Sequence, residues 1–557
     1  MQPESCVGGG ILTRSPAAFT ALASRTGLRR VLAAYALYDF VEFFVWLAVI
    51  LWAFQIGGPY LAGLAALVQL VPAAFLAPAL ASVGDRIPRG SALVVAYAFV
   101  AATCAITATA LLVSAPIPIV LTAATAVTTV VAVARPIHFA ALPQLAATPD
   151  ELVSANSLSS VADGIFRFFG PVAAGIVVTT LGYWQAFVIA MVFCVAAAGL
   201  CVGLRSGFAV LDATHKPGGL RAALEGIVTL RGDWGSLALL LVLTVDFVIT
   251  GSLDVLGVAL AGDVFGVGAT GAGLLIGSLG IGGLVGAVMG ASLSRGRRLT
   301  PVIVTGGVLE GLGFAAVALL SSPTLAMVFL AVAGTGGAVM LVSGRTLLQR
   351  AVDDRVLARV FAIQESTTLI GTAVGAMLAP LLIARFSVLG AFVPLGLGCV
   401  LLALLGVVLI KRVDARAVYR PHEISLLRGV SFLAHLPQYD LERLAKNARW
   451  DVVVPGTVVV RQGDLGRFFY VIADGKFNVS VDGELRPVLL GPGAGFGEIA
   501  LLRVVPRTAT ITSVTSARLL ALEASDFLAA VTGSADGHAI AAEVTATHLA
   551  RDLDARR

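Results

Sequence analysis

The sequence carries little charge and little cysteine for its length. Only 13% of its 557 residues are Asp, Glu, Lys or Arg, whereas soluble globular proteins hold about 25%. The five cysteines follow no metal-ligand spacing, so we predict no metal site. The sequence contains neither a Walker loop for ATP nor a nucleophile–base constellation, and the protein is not expected to be an enzyme.

Apolar residues are in large excess. Hydrophobic residues make up 58% of the chain, 61 residues are glycine, and the mean hydropathy is +0.94. This composition excludes a cytosolic enzyme, a disordered chain and a collagen-like fibre, and it indicates a protein that lies mostly in a lipid bilayer. The net charge of +5 is not gathered into a basic patch, so no nucleic-acid partner is expected.

The few charges are distributed unevenly. Residues 412–557 hold 33 charged side chains in 146 positions, or 23%, and the remaining 71 − 33 = 38 lie in residues 1–411, or 9%. Apolar runs of about 20 residues, long enough to cross a bilayer, recur twelve times between residues 31 and 410. We therefore predict an α-helical membrane protein with twelve transmembrane helices, followed by a water-soluble domain.

A long polar connection divides the spans into two sets of six. The predicted divisions are an N-terminal arm (1–30), six spans (31–204), a linker (205–235), six spans (236–411), a second linker (412–429) and a soluble domain (430–557). Lys and Arg crowd the loops on one side of the spans, and the opposite loops hold only Arg385. Because cytoplasmic loops carry the basic excess, both termini and the soluble domain are expected in the cytoplasm of a cell-membrane protein.

The two halves contain similar sequence motifs in corresponding loops. The loop after the second span is ASVGDRIPRG (81–90), and the loop after the eighth is GASLSRGRRL (290–299). Both resemble the cytoplasmic loop signature of the major facilitator superfamily, although Ala81 and Ser294 replace its glycine and its acid. The resemblance implies two six-helix bundles around a central cavity that opens alternately to each side. The candidates for a cytoplasmic gate or loop anchor are Asp85, Arg86, Arg89, Arg135 and Arg345.

The fifth span carries Gly170, Pro171 and Gly175, which resemble the Gly-Pro motif of the superfamily's exporters. Ionisable side chains inside spans are a second sign of transport, because each costs roughly 2.5–3.5 kcal/mol on insertion scales. The resulting candidates for transport or proton coupling are Asp39, Glu42, Asp163, Arg167, Asp246, Asp254, Glu310 and Glu365.

Two pairs among these candidates are spaced so that both members of a pair lie on the same face of their helix. Asp39 and Glu42 are three residues apart, and one of two carboxylates this close is expected to hold a proton, as a proton carrier requires. Asp163 and Arg167 are four residues apart, so they either neutralise each other or take part in transport.

The soluble domain has a different pattern. Residues 432–448 have the apolar spacing of a helix, and residues 458–483 alternate as short strands that turn at Gly463, Gly475 and Gly483. A small β-roll is predicted, with a further helix over 538–553 as a lid.

The segment GPGAGFGEIALLRVVPRTATITS (491–513) is the most specific in the chain. Gly497 allows close backbone approach to a ligand, Glu498 suits sugar hydroxyls, and the planar guanidinium of Arg507 suits a phosphate. These features indicate a nucleotide pocket.

At these residues the chain resembles the cyclic nucleotide-binding domain of the catabolite activator protein, cyclic-nucleotide-dependent kinases and gated channels. By that resemblance Glu498 accepts the ribose 2′-hydroxyl and Arg507 pairs with the cyclic phosphate. The implied ligand residues are Gly497, Glu498, Ile499, Ala500, Arg507, Thr508 and Ala509. We expect cAMP as the ligand, and cGMP stays open because a hydroxyl at Thr508 is compatible with either.

These features together predict a cyclic-nucleotide-regulated transporter of the major facilitator type. We expect it to export a small amphipathic molecule in exchange for protons. Two alternatives are a membrane receptor that does not transport and signals to a partner, and an exporter of the cyclic nucleotide itself.

Overall fold

The computed structural model describes residues 26–84, 89–145, 149–204, 234–294, 296, 298–352, 354–417, 420–434, 436, 438–503 and 505–532. The chain divides into two compact units, residues 1–145 with 154–417 and residues 146–153 with 418–557. Each unit is described by itself. Asp85, Arg86, most of the predicted linker 205–235 and the predicted lid 538–553 lie outside the described residues.

The first unit is helical, and ten helices among the described residues are long and apolar enough to cross a membrane. They are α1 (Thr26–Gly84), α2 (Arg89–Leu112), α3 (Ile117–Leu145), α4 (Pro149–Thr180), α5 (Tyr183–Cys201), α6 (Trp234–Ala259), α7 (Gly268–Leu293), α8 (Thr300–Ala316), α9 (Pro323–Ala351) and α10 (Asp354–Arg416). A π-helical turn (Leu260–Val264) continues α6, and a 3₁₀ turn (Val317–Leu319) continues α8.

Large apolar side chains cover the outside of this unit as well as its interior. Phe99 and Leu405 are 58% and 65% exposed, whereas Phe187 and Phe392 are buried. Outward apolar side chains on helices of this length are typical of contact with lipid. The predicted class, many apolar helices followed by a β domain, is confirmed at this level.

The two longest helices are each broken near their middle. Helix α1 has 59 residues and α10 has 63, which at 1.5 Å per residue is about three times the ~30 Å of bilayer hydrocarbon. The breaks fall at Gly57–Gly58, where Gly58 has φ +63°, and at Ser387, with φ +73°. Each helix therefore consists of two segments.

Glycines bring the two halves of the helical unit into close contact. A Cβ on Gly273 in α7 would collide with the carbonyl oxygen of Pro171 in α4, and one on Gly175 would collide with that of Ala269. Pro171 and Gly175 of the exporter-like motif thus lie where α4 packs on α7, whereas a Cβ on Gly170 would meet Phe43 of α1. Close backbone approach of this kind is how small residues join membrane helices.

The second unit contains an antiparallel β-roll with short helices. Its helices are α11 (Pro421–Gly429), α12 (Gln438–Asn447), α13 (Glu498–Arg503) and α14 (Ala524–Thr532). Its strands are β1 (Arg449–Val453), β2 (Val458–Val460), β3 (Phe468–Asp474), β4 (Phe477–Val481), β5 (Glu484–Leu490), β6 (Gly495–Phe496), β7 (Thr510–Ser513) and β8 (Ala517–Glu523).

The strands form two sheets of four, in the orders β1-β8-β3-β6 and β2-β7-β4-β5. Aromatic residues fill the core, with Phe469 stacked on Phe527 at 4.6 Å between ring centroids. The predicted turns are confirmed by positive φ angles at Gly463, Gly475 and Gly483. The predicted helix over 432–448 is shorter than expected, because residues 431–434 form a turn and α12 begins only at Gln438.

Candidate functional site

A pocket of about 190 Å³ lies in the β-roll, beside the second sheet and α13. All four strands of that sheet contribute to its wall. All seven residues predicted to contact a nucleotide line this pocket: Gly497, Glu498, Ile499, Ala500, Arg507, Thr508 and Ala509.

Arg507 is fixed in the pocket by backbone contacts. Its Nη1 donates to the carbonyl of Gly497 at 2.8 Å, and its Nη2 donates to that of Phe468 at 2.6 Å. Its own backbone pairs with the predicted turn, since Arg507 N donates to Asp464 O and Gly463 N donates to Arg507 O. The turn and the arginine, more than 40 residues apart in sequence, therefore form one structure.

Gly497 makes this arrangement possible. Its φ of +98° lies in the left-handed region, and a Cβ there would collide with Nη1 of Arg507. The chain then enters α13, whose first residue, Glu498, is 3% exposed. The buried acid and the buried guanidinium are thus held on the same short stretch of backbone.

The electrostatics of the pocket favour an anion. Burial lowers the pKa of Arg507 below its usual value, and the nearby Tyr470, Glu498 and Asp464 act in the opposite direction. A negative group beside Arg507 would offset the cost of burying its charge. Phosphate has the geometry that matches the parallel N–H donors of a guanidinium.

Some pocket residues were not predicted from the sequence. Arg486, Val488 and Leu490 of β5 line the pocket, together with apolar residues of the other strands, Val460, Val479 and Ile511. The sequence indicates these residues only through their spacing, because alternate residues of a strand face the same side. Only the fold shows which side faces the ligand.

A second cavity, of about 250 Å³, lies between the two halves of the helical unit. Its walls are mostly apolar and aromatic, with Phe43 from α1 and Phe247 from α6. Three of the predicted transport residues line it: Glu42, Arg167 and Asp254. Trp46 of α1 spans the halves, because its indole N–H donates to Oδ2 of Asp254 in α6 at 2.8 Å.

Arg135 joins three of the predicted acids into one cluster. Its guanidinium lies 3.1 Å from Asp39, 2.9 Å from Glu42 and 2.8 Å from Asp163. Arg167 is further from Asp163, at 3.7 Å. The sequence grouped Arg135 with gate residues and paired Asp163 with Arg167, whereas Arg135 is the closer partner of Asp163.

The second half contains a separate pair of acids, the buried Glu310 and the partly buried Asp246. Both carboxyl groups lie beside Gly337, where an added Cβ would collide with Asp246. Cys399 Sγ lies 3.7 Å from Glu310. Of the remaining candidates, Glu365 is exposed on α10 and Arg345 lies on α9 with its Nε atom buried.

Family models match both units of the chain. The model of the cyclic nucleotide-binding domain matches residues 451–533, and that of the Major Facilitator Superfamily matches residues 237–473. The second match extends into the first over 451–473, which are residues of the β-roll. The chain therefore carries a major-facilitator-type membrane segment fused to a cyclic nucleotide-binding domain.

Similar curated proteins match the soluble domain. A cAMP-dependent protein kinase regulatory subunit of Schizosaccharomyces pombe is 34% identical over 21% of this chain and 29% of its own. A cyclic nucleotide-gated potassium channel of Mesorhizobium japonicum is 34% identical over 18% of this chain and 28% of its own. The chain thus spans less than a third of the length of either relative.

A solved structure of the regulatory domain of Toxoplasma gondii PKA with cAMP is also similar. It is 34% identical, and the match covers 21% of this chain and 45% of that chain, with a TM-score of 0.20.

Proposed function

We propose that the protein is a secondary transporter of the major facilitator type whose activity is set by a cyclic nucleotide. The observation that carries the proposal is the pocket around Arg507 and Glu498, on a chain whose other unit holds a cavity between two halves. The cargo is a small amphipathic molecule, exported in exchange for protons.

The proposed contacts of the nucleotide follow from the residues that line the pocket. Arg507 pairs with the cyclic phosphate, Glu498 accepts the ribose 2′-hydroxyl, and Gly497, Ile499 and Ala500 supply backbone contacts. The relatives named as cAMP-dependent support cAMP as the ligand. The hydroxyl of Thr508 is compatible with cGMP as well.

The helices support a topology of twelve spans. Eight of the ten long helices count once, and α1 and α10 count twice because each is broken near its middle. With the basic residues of the loops in the cytoplasm, both termini and the nucleotide domain lie there too. The proposed site is therefore in the compartment where cyclic nucleotides are made.

Glu42 connects the proton-coupling candidates to the cargo cavity. Its carboxylate accepts from Arg135 at 2.9 Å and from the hydroxyl of Tyr38 at 3.2 Å, and the same residue lines the cavity. Three carboxylates share Arg135, so a proton on one of them weakens its hold on the guanidinium. Glu42 then takes part in both proton binding and cargo binding.

Regulation requires that the nucleotide bind the inward-facing and outward-facing states with different affinity. The chain offers a short covalent route for this coupling. Helix α10 ends at Arg416 and α11 begins at Pro421, so only residues 417–420 connect the last membrane helix to the second unit.

Reconstituted full-length protein provides the test. Ethidium serves as a probe amphipathic cation, its flux under a proton gradient is followed with and without cAMP, and cAMP binding is measured by calorimetry. Arg507→Ala is expected to abolish both cAMP binding and the effect of cAMP on flux. Arg461→Ala, which removes an exposed arginine outside the pocket, is the control and should change neither.

Two results would contradict the proposal. If Arg507→Ala loses binding while cAMP still alters flux, the pocket is not the regulatory site. If a panel of amphipathic ions shows no gradient-driven flux, and Asp39→Asn and Glu42→Gln leave function in cells intact, the non-transporting receptor is favoured instead.

A further inference from the structure

Four buried polar atoms in the first half of the helical unit have no hydrogen-bond partner among the described residues. They are Oη of Tyr35, Oδ2 of Asp39, Oη of Tyr97 and Nδ1 of His138, which come from α1, α2 and α3. Each of these four residues is at most 1% exposed. Buried polar atoms in proteins are hydrogen-bonded with few exceptions, so four such atoms in one region need an explanation.

The four residues are neighbours. The ring of Tyr35 is stacked on that of His138, with 3.9 Å between the ring centroids. The ring of Tyr38 lies 5.7 Å from that of Tyr35 and 5.5 Å from that of Tyr97. Asp39 follows Tyr35 by one helical turn, so the two share a face of α1, and Asp39 lies close enough to act electrostatically on both hydroxyls. The unpartnered atoms therefore belong to one cluster.

Tyr38 differs from the two other tyrosines of this cluster. Its hydroxyl oxygen lies 2.6 Å from the carbonyl oxygen of Val131 and 3.2 Å from Oε2 of Glu42. The hydroxyls of Tyr35 and Tyr97 reach no such group in the part of the chain that the structure describes. A buried hydroxyl without a partner is unfavourable, and a buried water typically satisfies about three such atoms.

We propose that a buried water binds between Oδ2 of Asp39 and the hydroxyls of Tyr35 and Tyr97, and that protons reach Asp39 through this water. The proposal rests on the proton coupling proposed above. Nδ1 of His138 offers the water a fourth partner. The water site is polar on several sides, as a buried water requires.

The water faces the carboxylate oxygen that the ion pair leaves free. Nη2 of Arg135 lies 3.1 Å from Oδ1 of Asp39, whereas Oδ2 has no partner among the described residues. As the water takes up one proton from the cytoplasmic side, it passes another to Oδ2, so the water stays neutral and Asp39 loses its charge. The neutral carboxyl holds Arg135 less strongly, and Arg135 also pairs with Glu42 at the cargo cavity.

The water site lies apart from the cargo cavity. Tyr35, Asp39, Tyr97 and His138 are all outside the described lining of that cavity. In the proposed topology α1 begins in the cytoplasm, so Tyr35 is nearer to the cytoplasm than Asp39 by about 6 Å, the rise of four helical residues. Protons can therefore reach Asp39 while cargo occupies the cavity.

Hydroxyl-radical footprinting by radiolysis of full-length protein in detergent tests the water itself. Radicals form from bound water, so a side chain beside a buried water is oxidised although bulk solvent does not reach it. Tyr35 and Tyr97 should be oxidised at rates close to that of Tyr60, which is 51% exposed, and much faster than the buried Phe187. Tyr97→Phe should slow the oxidation of Tyr35. Rates at both tyrosines as low as that of Phe187 would overturn the water site.

Transport measurements in liposomes test the role of the water. Tyr97→Phe should lose most of the ethidium flux that a proton gradient drives. Exchange of ethidium at equal concentrations on both sides needs no net proton movement, so it should stay at the wild-type rate. Tyr35→Phe removes the second hydroxyl and should behave in the same way. Tyr183→Phe is the control and should change neither rate, because its hydroxyl lies outside the cluster, 3.4 Å from the carbonyl of Leu51.

The outcomes separate this proposal from the proposed function. Retained exchange shows that the variants are folded. Gradient-driven flux that is unchanged in both variants, or that falls only as far as exchange does, would overturn the proton role of the water. Wild-type protein without any gradient-driven flux would overturn proton-coupled transport, and the footprinting rates would still decide the water site.

Discussion

Asp163 in α4 accepts a hydrogen bond of 2.8 Å from Nη1 of Arg135 in α3. Asp39 and Glu42 in α1 lie on the other terminal nitrogen of the same guanidinium. One arginine thus holds three acids from two other helices, and Asp39 is fully buried. This cluster ties three helices of the first half together, so its protonation state bears on how these helices pack.

Removing Arg135 is expected to destabilise the helical unit. Arg135→Gln leaves three carboxyl groups without their shared cation. Asp39 is buried whereas Arg135 is 31% exposed, so the cost lies between about 1 kcal/mol for an exposed pair and about 3 kcal/mol for a buried one. Arg167→Gln is the matched control, because Arg167 is more exposed and lies 3.7 Å from Asp163. Thermal unfolding in detergent should show a clearly lower midpoint for Arg135→Gln. Equal midpoints for the two variants would argue against the cluster.

Gly497→Ala is expected to abolish cAMP binding, because the new methyl group collides with Nη1 of Arg507. Gly483→Ala is the control: its φ of +85° imposes similar backbone strain, but no atom lies within 4 Å of the added Cβ. Both variants should lose stability by about 1 kcal/mol. Calorimetric titration should show loss of binding in Gly497→Ala alone, and normal binding there would exclude the proposed position of Arg507.

Gly273→Ala is expected to push α7 away from α4 and to lower both stability and flux. The added Cβ meets the carbonyl of Pro171, and overpacking of this kind costs about 1–3 kcal/mol. Gly283→Ala on the same helix has open space around its Cβ and should be close to neutral. Thermal midpoints and ethidium flux of the two variants check this, and similar effects in both would contradict it.

The bond between Trp46 and Asp254 is expected to link the two halves energetically. A double-mutant cycle with Trp46→Phe and Asp254→Asn should give a coupling of about 1–2 kcal/mol in unfolding free energy, as expected for a hydrogen bond to a charged group. Trp234→Phe, at a tryptophan that is 72% exposed, serves as control and should show no coupling to Asp254→Asn. Strictly additive effects of the first pair would rule out the link.

Asp414 is expected to carry nucleotide regulation into the membrane unit. Its carboxylate accepts from Leu299 N, Thr300 N and the Thr300 hydroxyl, so it caps the start of α8 from the end of α10. Asp414→Ala should cost about 1 kcal/mol of stability, as for other lost caps, and reduce the response of flux to cAMP. Lys411→Ala, exposed on the same helix, should preserve that response. An unchanged cAMP response in Asp414→Ala would exclude this route.

Seven of the fifteen residues that line the pocket of the β-roll were predicted, because those seven are close together in sequence. Strand β6 leads through Gly497 into α13, and Nη1 of Arg507 reaches back to the carbonyl of Gly497. The contacts of Arg507 with Asp464 and Phe468 depend on the fold. The apolar wall and Arg486 required the fold, because they come from four separate strands. The missed residues therefore follow from sheet pairing rather than from a motif.

In the helical unit, the positions of the helices were predictable from the sequence, whereas the contacts between them were not. The lengths of the apolar runs indicated the helices, and the short interruptions between runs coincide with the breaks at Gly57–Gly58 in α1 and at Ser387 in α10. The pairing of charges was less predictable still. Arg135 and Asp39 are 96 residues apart, and Trp46 and Asp254 are 208 apart.

The sequence by itself predicted the long apolar helices of the first unit, the β-roll of the second and the segment 497–509 that lines its pocket, because hydropathy, the period of the apolar pattern and turn residues are local properties of the sequence. Only the tertiary structure decided which acids share Arg135, which residues line the two pockets, and that Asp414 caps α8. Those contacts depend on how helices and strands pack. Packing brings together residues that are far apart in the sequence, and no local sequence pattern links such residues.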